Sequence, residues 1–350
     1  MRNANAIFGA ITRVDGTTIE FEEQRVARLT GDERRVNGLI SLLVDLQRRR
    51  MPAYVELDPT ADTIARVRVP IVVRVESMTA EETGAVSVMF ENSHARHVLP
   101  RDADFQDLSR ALRDAKEKNE WIAVAETEGH EIIDLRPYAP PFELPRHKPP
   151  GASGIRRFLS WRGWPWSWFL CVSEARAQQL YDLCAATTCN PTTVPPPCIP
   201  FLYPDDGCWG RAHEMARLMI ADGAQPRKVW IFGRLFAPTK NNPLCIVGWG
   251  WHVAPTLCVR TKWPFITQEK VIDPSLFTTP VTKSKWKSVQ SDPRAMLYSE
   301  PASTSYRYAD GSIVTDPTYS QTNIVLADSR AALQARSLGP DGPPPYAACT

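Results

Sequence analysis

The stretch Tyr203-Pro204-Asp205-Asp206-Gly207-Cys208-Trp209-Gly210-Arg211-Ala212-His213-Glu214-Met215-Ala216-Arg217-Leu218-Met219 decides how this chain is read. Pro204 to Gly207 has the composition of a turn. From Cys208 the pattern becomes helical, with Ala212, Met215 and Met219 on one stripe and Arg211 and Glu214 off it. A thiol is thereby placed at a helix N-terminus, where unpaired N–H groups and the helix dipole favour the thiolate.

Two later segments extend the pattern. Ile246-Val-Gly-Trp-Gly-Trp-His252-Val-Ala254 reads as an apolar strand with one histidine near its end, and Lys270-Val-Ile-Asp273-Pro-Ser-Leu-Phe277 as a strand stopping at Asp-Pro. Cysteine, then histidine on a strand, then aspartate after the next strand is an order in which imidazole activates a thiol. Asp273 would accept the Nδ1 proton of His252 and fix its tautomer. Each residue also has a plainer reading. A cysteine is more often buried or half of a disulfide than a nucleophile, a lone histidine is more often a satisfied core residue, and Asp before Pro often just starts a turn. His213 is a rival base, but five residues carry it about 140° round the helix from Cys208, so it reads as structural.

The rest of the composition sets bounds. The chain has 350 residues and a net charge of +2, which suggests two or three domains and no electrostatic footprint for nucleic acid. Trp161 to Val172 is the longest apolar candidate for a membrane span, and it is too short and interrupted by Arg162 and Pro165. Seven of the eight cysteines lie between Cys171 and Cys258, so the two halves differ in chemistry. Cysteine density points to an oxidising destination, whereas MRNANAIFGAITRVDG lacks the basic and apolar regions of a secretory signal. The sequence leaves the two in conflict; the expectation is a protein that is secreted, or exported by a non-classical route after a cytoplasmic stage. No Cys-x-x-Cys or His-rich cluster exists, so neither metal nor cofactor is expected.

The first half reads as a duplication. Residues 16–67 laid over 85–136 at an offset of 69 align Phe21-Glu22 with Phe90-Glu91, Leu39 with Leu108, Leu43 with Leu112, Asp45 with Asp114, Val55 with Val124 and Ile64 with Ile133. Each copy runs strand, helix, strand pair: Thr17–Phe21 and Val86–Phe90, helices along Val36–Leu46 and Phe105–Ala115, then Tyr54–Leu57 with Ile64–Val69 and Ile122–Ala125 with Glu131–Leu135. His94, His97 and His130 look scattered and non-catalytic. The expected organisation is α+β: copy one at 1–75, copy two at 76–136, a proline-rich linker at 137–160, a catalytic domain at 161–330 and a flexible tail at 331–350.

Residues 185–330 resemble the bacterial protein-glutaminases. The resemblance runs through Pro197-Cys198-Ile199, Tyr203-Pro204, Asp206-Gly207-Cys208, Arg211-Ala212-His213, Met215, Trp249, His252-Val253-Ala254, Ile272–Phe277, Pro280–Thr282 and Trp286. It implies a papain- or transglutaminase-like core with Cys208 as nucleophile, His252 as base and acid, and Asp273 as orienter. The implied activity is deamidation of glutamine side chains in proteins through a thioester. Transglutaminase-type transfer to amines is the alternative, as is a toxin-like deamidase effector with an N-terminal targeting module. The resemblance also implies a disulfide between Cys189 and Cys198 and an N-terminal pro-region, which copy one resembles more faintly. The expected partners are glutamine-bearing proteins and the chain's own N-terminal half, as inhibitor or targeting module. Trp209, Trp249 and Trp251 are candidates for narrow aromatic walls around the substrate side chain. Cys171, Cys184, Cys245 and Cys258 have no assignable partners.

Overall fold

A computed structural model describes residues 5–91, 93–139, 171–261 and 266–349. The linker expected at 137–160 and the tryptophan-rich segment after it lie almost wholly outside the described residues. The fold is mixed α+β with several antiparallel sheets.

The first unit comprises β1 (Ala6–Asp15), β2 (Thr18–Phe21), β3 (Val26–Arg28), α1 (Glu33–Arg49), β4 (Pro52–Leu57) and β5 (Ile64–Arg68). Its five strands form one sheet in the order β3-β2-β1-β4-β5. Asp32 caps α1 by accepting from the Arg35 amide, and Arg50 ends it in a left-handed conformation. The apolar stripe of α1, with Leu39, Leu42, Leu43 and Leu46, is buried against that sheet.

The second unit runs β6 (Ile71–Val73), β7 (Val75–Ala80), β8 (Val86–Phe90), β9 (His97–Leu99), α2 (Phe105–Lys118), β10 (Ile122–Glu126) and β11 (Ile132–Pro137). Its registers echo the first unit. Ile11 pairs Phe21 and Arg13 pairs Glu20 across a bulge; Val75 pairs Phe90 and Ser77 pairs Met89 across another. Gly9 pairs Ala53, and Val73 pairs Ile122. In the second unit the long first strand is broken at Arg74, so its strands divide into β11-β10-β6 and β7-β8-β9.

The second half follows: β12 (Val172–Ser173), α3 (Glu174–Ala185), α4 (Cys208–Ala221), β13 (Arg227–Pro238), β14 (Ile246–Arg260), β15 (Thr267–Val271), β16 (Val281–Thr282), α5 (Lys283–Ser288), β17 (Met296–Pro301), β18 (Thr304–Arg307), β19 (Ile313–Thr315) and α6 (Ser320–Ser337). The main sheet is ordered β16-β15-β14-β13-β17, with β12 also pairing β14. α4 is buried from Cys208 to Ala216, enclosed by β14, α3 and α6. Gly207 precedes it at φ 76°, and a Cβ there would collide with Ser329 of α6.

The expectation of a flexible tail at 331–350 is overturned. Residues 331–337 continue α6, where Ala331, Leu333 and Ala335 are buried. Ala331, Ala335 and Leu338 complete the core of the first unit. Beyond the Pro/Gly run, Cys349 is bonded to Cys245. The glycines and prolines there stop a helix rather than free a chain end. The other disulfides are Cys189–Cys198 and Cys171–Cys258; Cys184 and Cys208 are free thiols, both buried.

Candidate active site

The helix start, the central strand and the Asp-Pro turn converge. His252 on β14 shares a 2.9 Å hydrogen bond between Nε2 and Asp273 Oδ2. Trp286 Nε1 of α5 donates to the same oxygen at 2.8 Å. Burial alone would raise the Asp273 carboxyl, but His252 and the Trp286 indole outweigh it and hold it below its usual range. Trp249 stacks on the imidazole with ring centres 4.5 Å apart, and Trp286 covers it from 5.4 Å.

The ring orientation differs from the expectation. Asp273 takes Nε2 and leaves Nδ1 free of any hydrogen bond. One ring nitrogen of His252 lies within 4.8 Å of Cys208 Sγ. The thiol also departs from what a helix N-terminus suggests. Burial pushes Cys208 well above its ordinary value, and this outweighs Arg211 and the Val253 amide, which favour the thiolate. Burial therefore favours the protonated thiol over the thiolate.

The cover is the N-terminal half. β15 takes one edge of β14 from Thr256 to Arg260, and further back Ala95 bridges Trp249 as an antiparallel partner. The Gly250 amide donates to His94 O at 2.9 Å, and the Arg96 amide donates to Gly248 O at 3.1 Å. The His94 ring enters the site, 5.4 Å from Trp249, 5.4 Å from Trp251 and 5.7 Å from His252. Asp206 anchors this segment through one oxygen, which accepts from the His94 amide (3.1 Å), His94 Nδ1 (2.8 Å) and the Gly207 amide (2.7 Å). Burial opposes ionisation of Asp206, but these donors hold its carboxyl at about 2. Burial drives His94 the other way, down to about 4, despite Asp206.

A second cluster stiffens the segment. Glu126 accepts from His97 Nδ1 at 2.6 Å and from His130 Nδ1 at 3.0 Å, and Ser93 Oγ meets His97 Nε2 at 3.1 Å. Burial would lower His130, but Glu126 more than offsets it and lifts it to about 9. The three histidines that look scattered in the chain are thus gathered at or beside the site. Nothing local in the sequence signals this, because His94 and Asp206 are 112 residues apart.

Trp249 and Trp251 lie against His94. Trp209 packs on Tyr306 instead, with ring centres 6.0 Å apart. His213 faces away, with Nδ1 2.7 Å from Lys228 Nζ and Nε2 3.2 Å from Asp316 O, in keeping with a structural role.

Against known proteins, residues 177–290 match the family described as glutaminase, spanning Cys208, His252 and Asp273. Protein-glutaminase itself is 30% identical over 45% of this chain and 86% of its own, with a TM-score of 0.41. The chain belongs to the glutaminase family. A mutant of pro-protein-glutaminase shares the fold of the longer chain, with 22% identity, 80% of this chain and 98% of that chain covered, and a TM-score of 0.52. Protein-glutaminase from Chryseobacterium proteolyticum is 28% identical over 51% of this chain and 97% of its own, at 0.42. No curated protein matches the chain. The sequence resemblance therefore stands, and the glutaminase-family segment carries the thiol, the imidazole and the carboxylate.

Proposed function

We propose that the chain is a protein-glutamine deamidase held latent by its N-terminal half. The observation that carries this reading is the Cys208–His252–Asp273 arrangement inside the glutaminase-family segment. His252 takes the Cys208 proton, and the resulting thiolate attacks the carboxamide carbon of a glutamine side chain. The oxyanion that forms lies at the start of α4, where the Cys208 amide is a donor. Collapse of this intermediate expels ammonia, which takes its proton from His252, and leaves a thioester. His252 then deprotonates a water molecule that attacks the thioester, releasing glutamate and the thiolate. Asp273 keeps the imidazole in the productive tautomer, and Trp249 and Trp251 wall the side-chain slot.

Latency follows from what fills the slot. Ser93–Arg96 occupies the β14 edge and His94 the space before the thiol, so a protein substrate has no access until the segment leaves. The matching registers and bulges of the first and second units support their origin as two copies of one α+β module. In that module pair it is the second copy that covers the site. Three disulfides fit an oxidising compartment, and no described helix is long and apolar enough to cross a membrane.

The test is ammonia release from casein, before and after limited proteolysis between residues 137 and 160, with Cys208→Ala as control. Activity that rises on cleavage and is absent in Cys208→Ala is the expected result. Incorporation of an added primary amine without ammonia excess would indicate transglutaminase transfer. No activity in either form would refute the reading.

A further inference from the structure

Three buried side chains bring one possible ligand atom each close to the other two. One ligand atom each of His94, Cys208 and His252 lies within 4.8 Å of the other two. His94 Nε2 and His252 Nδ1 are buried without a hydrogen-bond partner, and the residues themselves are 0%, 1% and 1% exposed. The opposite nitrogen of each ring is committed to a carboxylate, His94 Nδ1 to Asp206 at 2.8 Å and His252 Nε2 to Asp273 at 2.9 Å. In the neutral rings those nitrogens carry the protons, so His94 Nε2 and His252 Nδ1 are acceptors. A single thiol proton cannot serve two acceptors. Imidazoles whose far nitrogens are fixed by carboxylates, with a sulfur between their near ones, have the ligand shell typical of zinc sites.

We propose that the latent chain binds one Zn2+ ion through His94 Nε2, Cys208 Sγ and His252 Nδ1, with a fourth position left for water. This rests on the reading that the N-terminal half covers the deamidase site. Tetrahedral Zn–N bonds of about 2.0–2.1 Å and a Zn–S bond of about 2.3 Å bring the donors to roughly 3.3–3.7 Å from one another, so closure by about 1 Å from the widest present separation suffices. Binding breaks the S–H bond of Cys208 and releases that one proton to solvent; both imidazoles enter neutral. The ion's two charges meet one thiolate, with the Asp206 and Asp273 carboxylates behind the rings. Nucleophile and base are then both ligated, and the third ligand comes from the covering segment. The ion therefore fastens cover to site, and it loses a ligand when the segment leaves. The other histidine cluster is a poorer site: in His97–Glu126–His130 both Nδ1 atoms are already spent on Glu126 and His97 Nε2 on Ser93.

The intact, uncleaved chain, stripped with chelator and titrated with Zn2+, should bind one equivalent, and X-ray absorption should show one sulfur and two imidazole nitrogens. Co2+ in its place should give a thiolate charge-transfer band and the visible bands of tetrahedral coordination. His94→Ala and Cys208→Ala should each lose that band and weaken Zn2+ binding at least 100-fold, with near-ultraviolet circular dichroism reporting whether each variant is folded. A zinc shell without sulfur, or a folded His94→Ala that binds within threefold of the parent, would overturn the proposal; the absorption measurement needs no variant. None of these readouts uses activity, so a failure here is distinct from failure of ammonia release in the cleaved chain.

Discussion

Acid should loosen the covering segment through a single imidazole. His94 is buried, its Nδ1 is held by Asp206, and a second proton would have to sit on Nε2, which has no acceptor. The groups facing it are Asp206, which favours the charged ring, and His252 and Arg211, which oppose it, with Cys208 close by. Docked, the ring titrates near 4; released, it returns to about 6.5. The docked value is the lower, so protons bind preferentially to the open state. Docking strength is full above about pH 6.5 and declines as pH falls toward 4, for a total loss of about 3.4 kcal/mol at 1.36 kcal/mol per unit. Between pH 7 and pH 5 the loss is about 1.8 kcal/mol, which raises the open population roughly 20-fold. The assay is hydrogen exchange at the Gly250 and Arg96 amides, the two that join the segment to β14, corrected for intrinsic exchange rates and run with chelator. Protection should fall by that factor in the parent and stay nearly level in His94→Ala. Equal slopes in the two chains would show that His94 is not the responsible group.

Buried contacts set three more expectations. Asp273→Asn should keep the fold but lower kcat of the cleaved enzyme by roughly 10²–10⁴-fold through loss of the tautomer, measured by ammonia release. Arg336 clamps the turn before Cys208, forming a bidentate pair with fully buried Asp205 at 2.7 and 2.9 Å; Arg336→Met should cost about 3–5 kcal/mol in denaturant unfolding, because the buried carboxylate loses its bidentate cationic partner and keeps the neutral Asn242 amide. Replacing Cys245 and Cys349 together by serine opens a loop closed over a separation of 104 residues and should cost about 2–4 kcal/mol, with new protease sensitivity beyond residue 337.

What is legible in the sequence is local. The Pro-Asp-Asp-Gly turn, the helix it starts, the apolar strand and the Asp-Pro stop each sit within a window where periodicity speaks, so Cys208, His252 and Asp273 stand out there as candidates, and it is the resemblance to the protein-glutaminases that assigns them roles. Contacts that close over long separations are not legible: His94 on Asp206, Cys245 on Cys349, Arg336 on Asp205. The last helix misleads for a definite reason. α6 is packed by the first unit on one side and by α4 on the other, so it lacks the single apolar face that marks a surface helix. The glycines and prolines after it then dominate the local pattern. Helix position alone favours the Cys208 thiolate, whereas its burial among Trp209, Ala212, Trp230, Trp251 and Val253 favours the thiol.

The seam between the halves has a consequence for activation. Gln334 of α6 donates to Gly38 O at 3.1 Å, Arg35 donates to Leu338 O at 3.1 Å, Arg49 pairs with Asp328 at 2.5 Å and Asn242 donates to Glu128 O at 3.0 Å. These bonds straddle the seam without using the covalent connection. On the proposed latency, a protease that nicks the connector should therefore leave a two-chain complex rather than free enzyme. Switching on becomes a dissociation, first order in the nicked complex and reversible while the liberated fragment survives. Onset should accordingly lag behind the cut, the lag should shorten when the fragment is digested further, and adding intact fragment back should restore the silence.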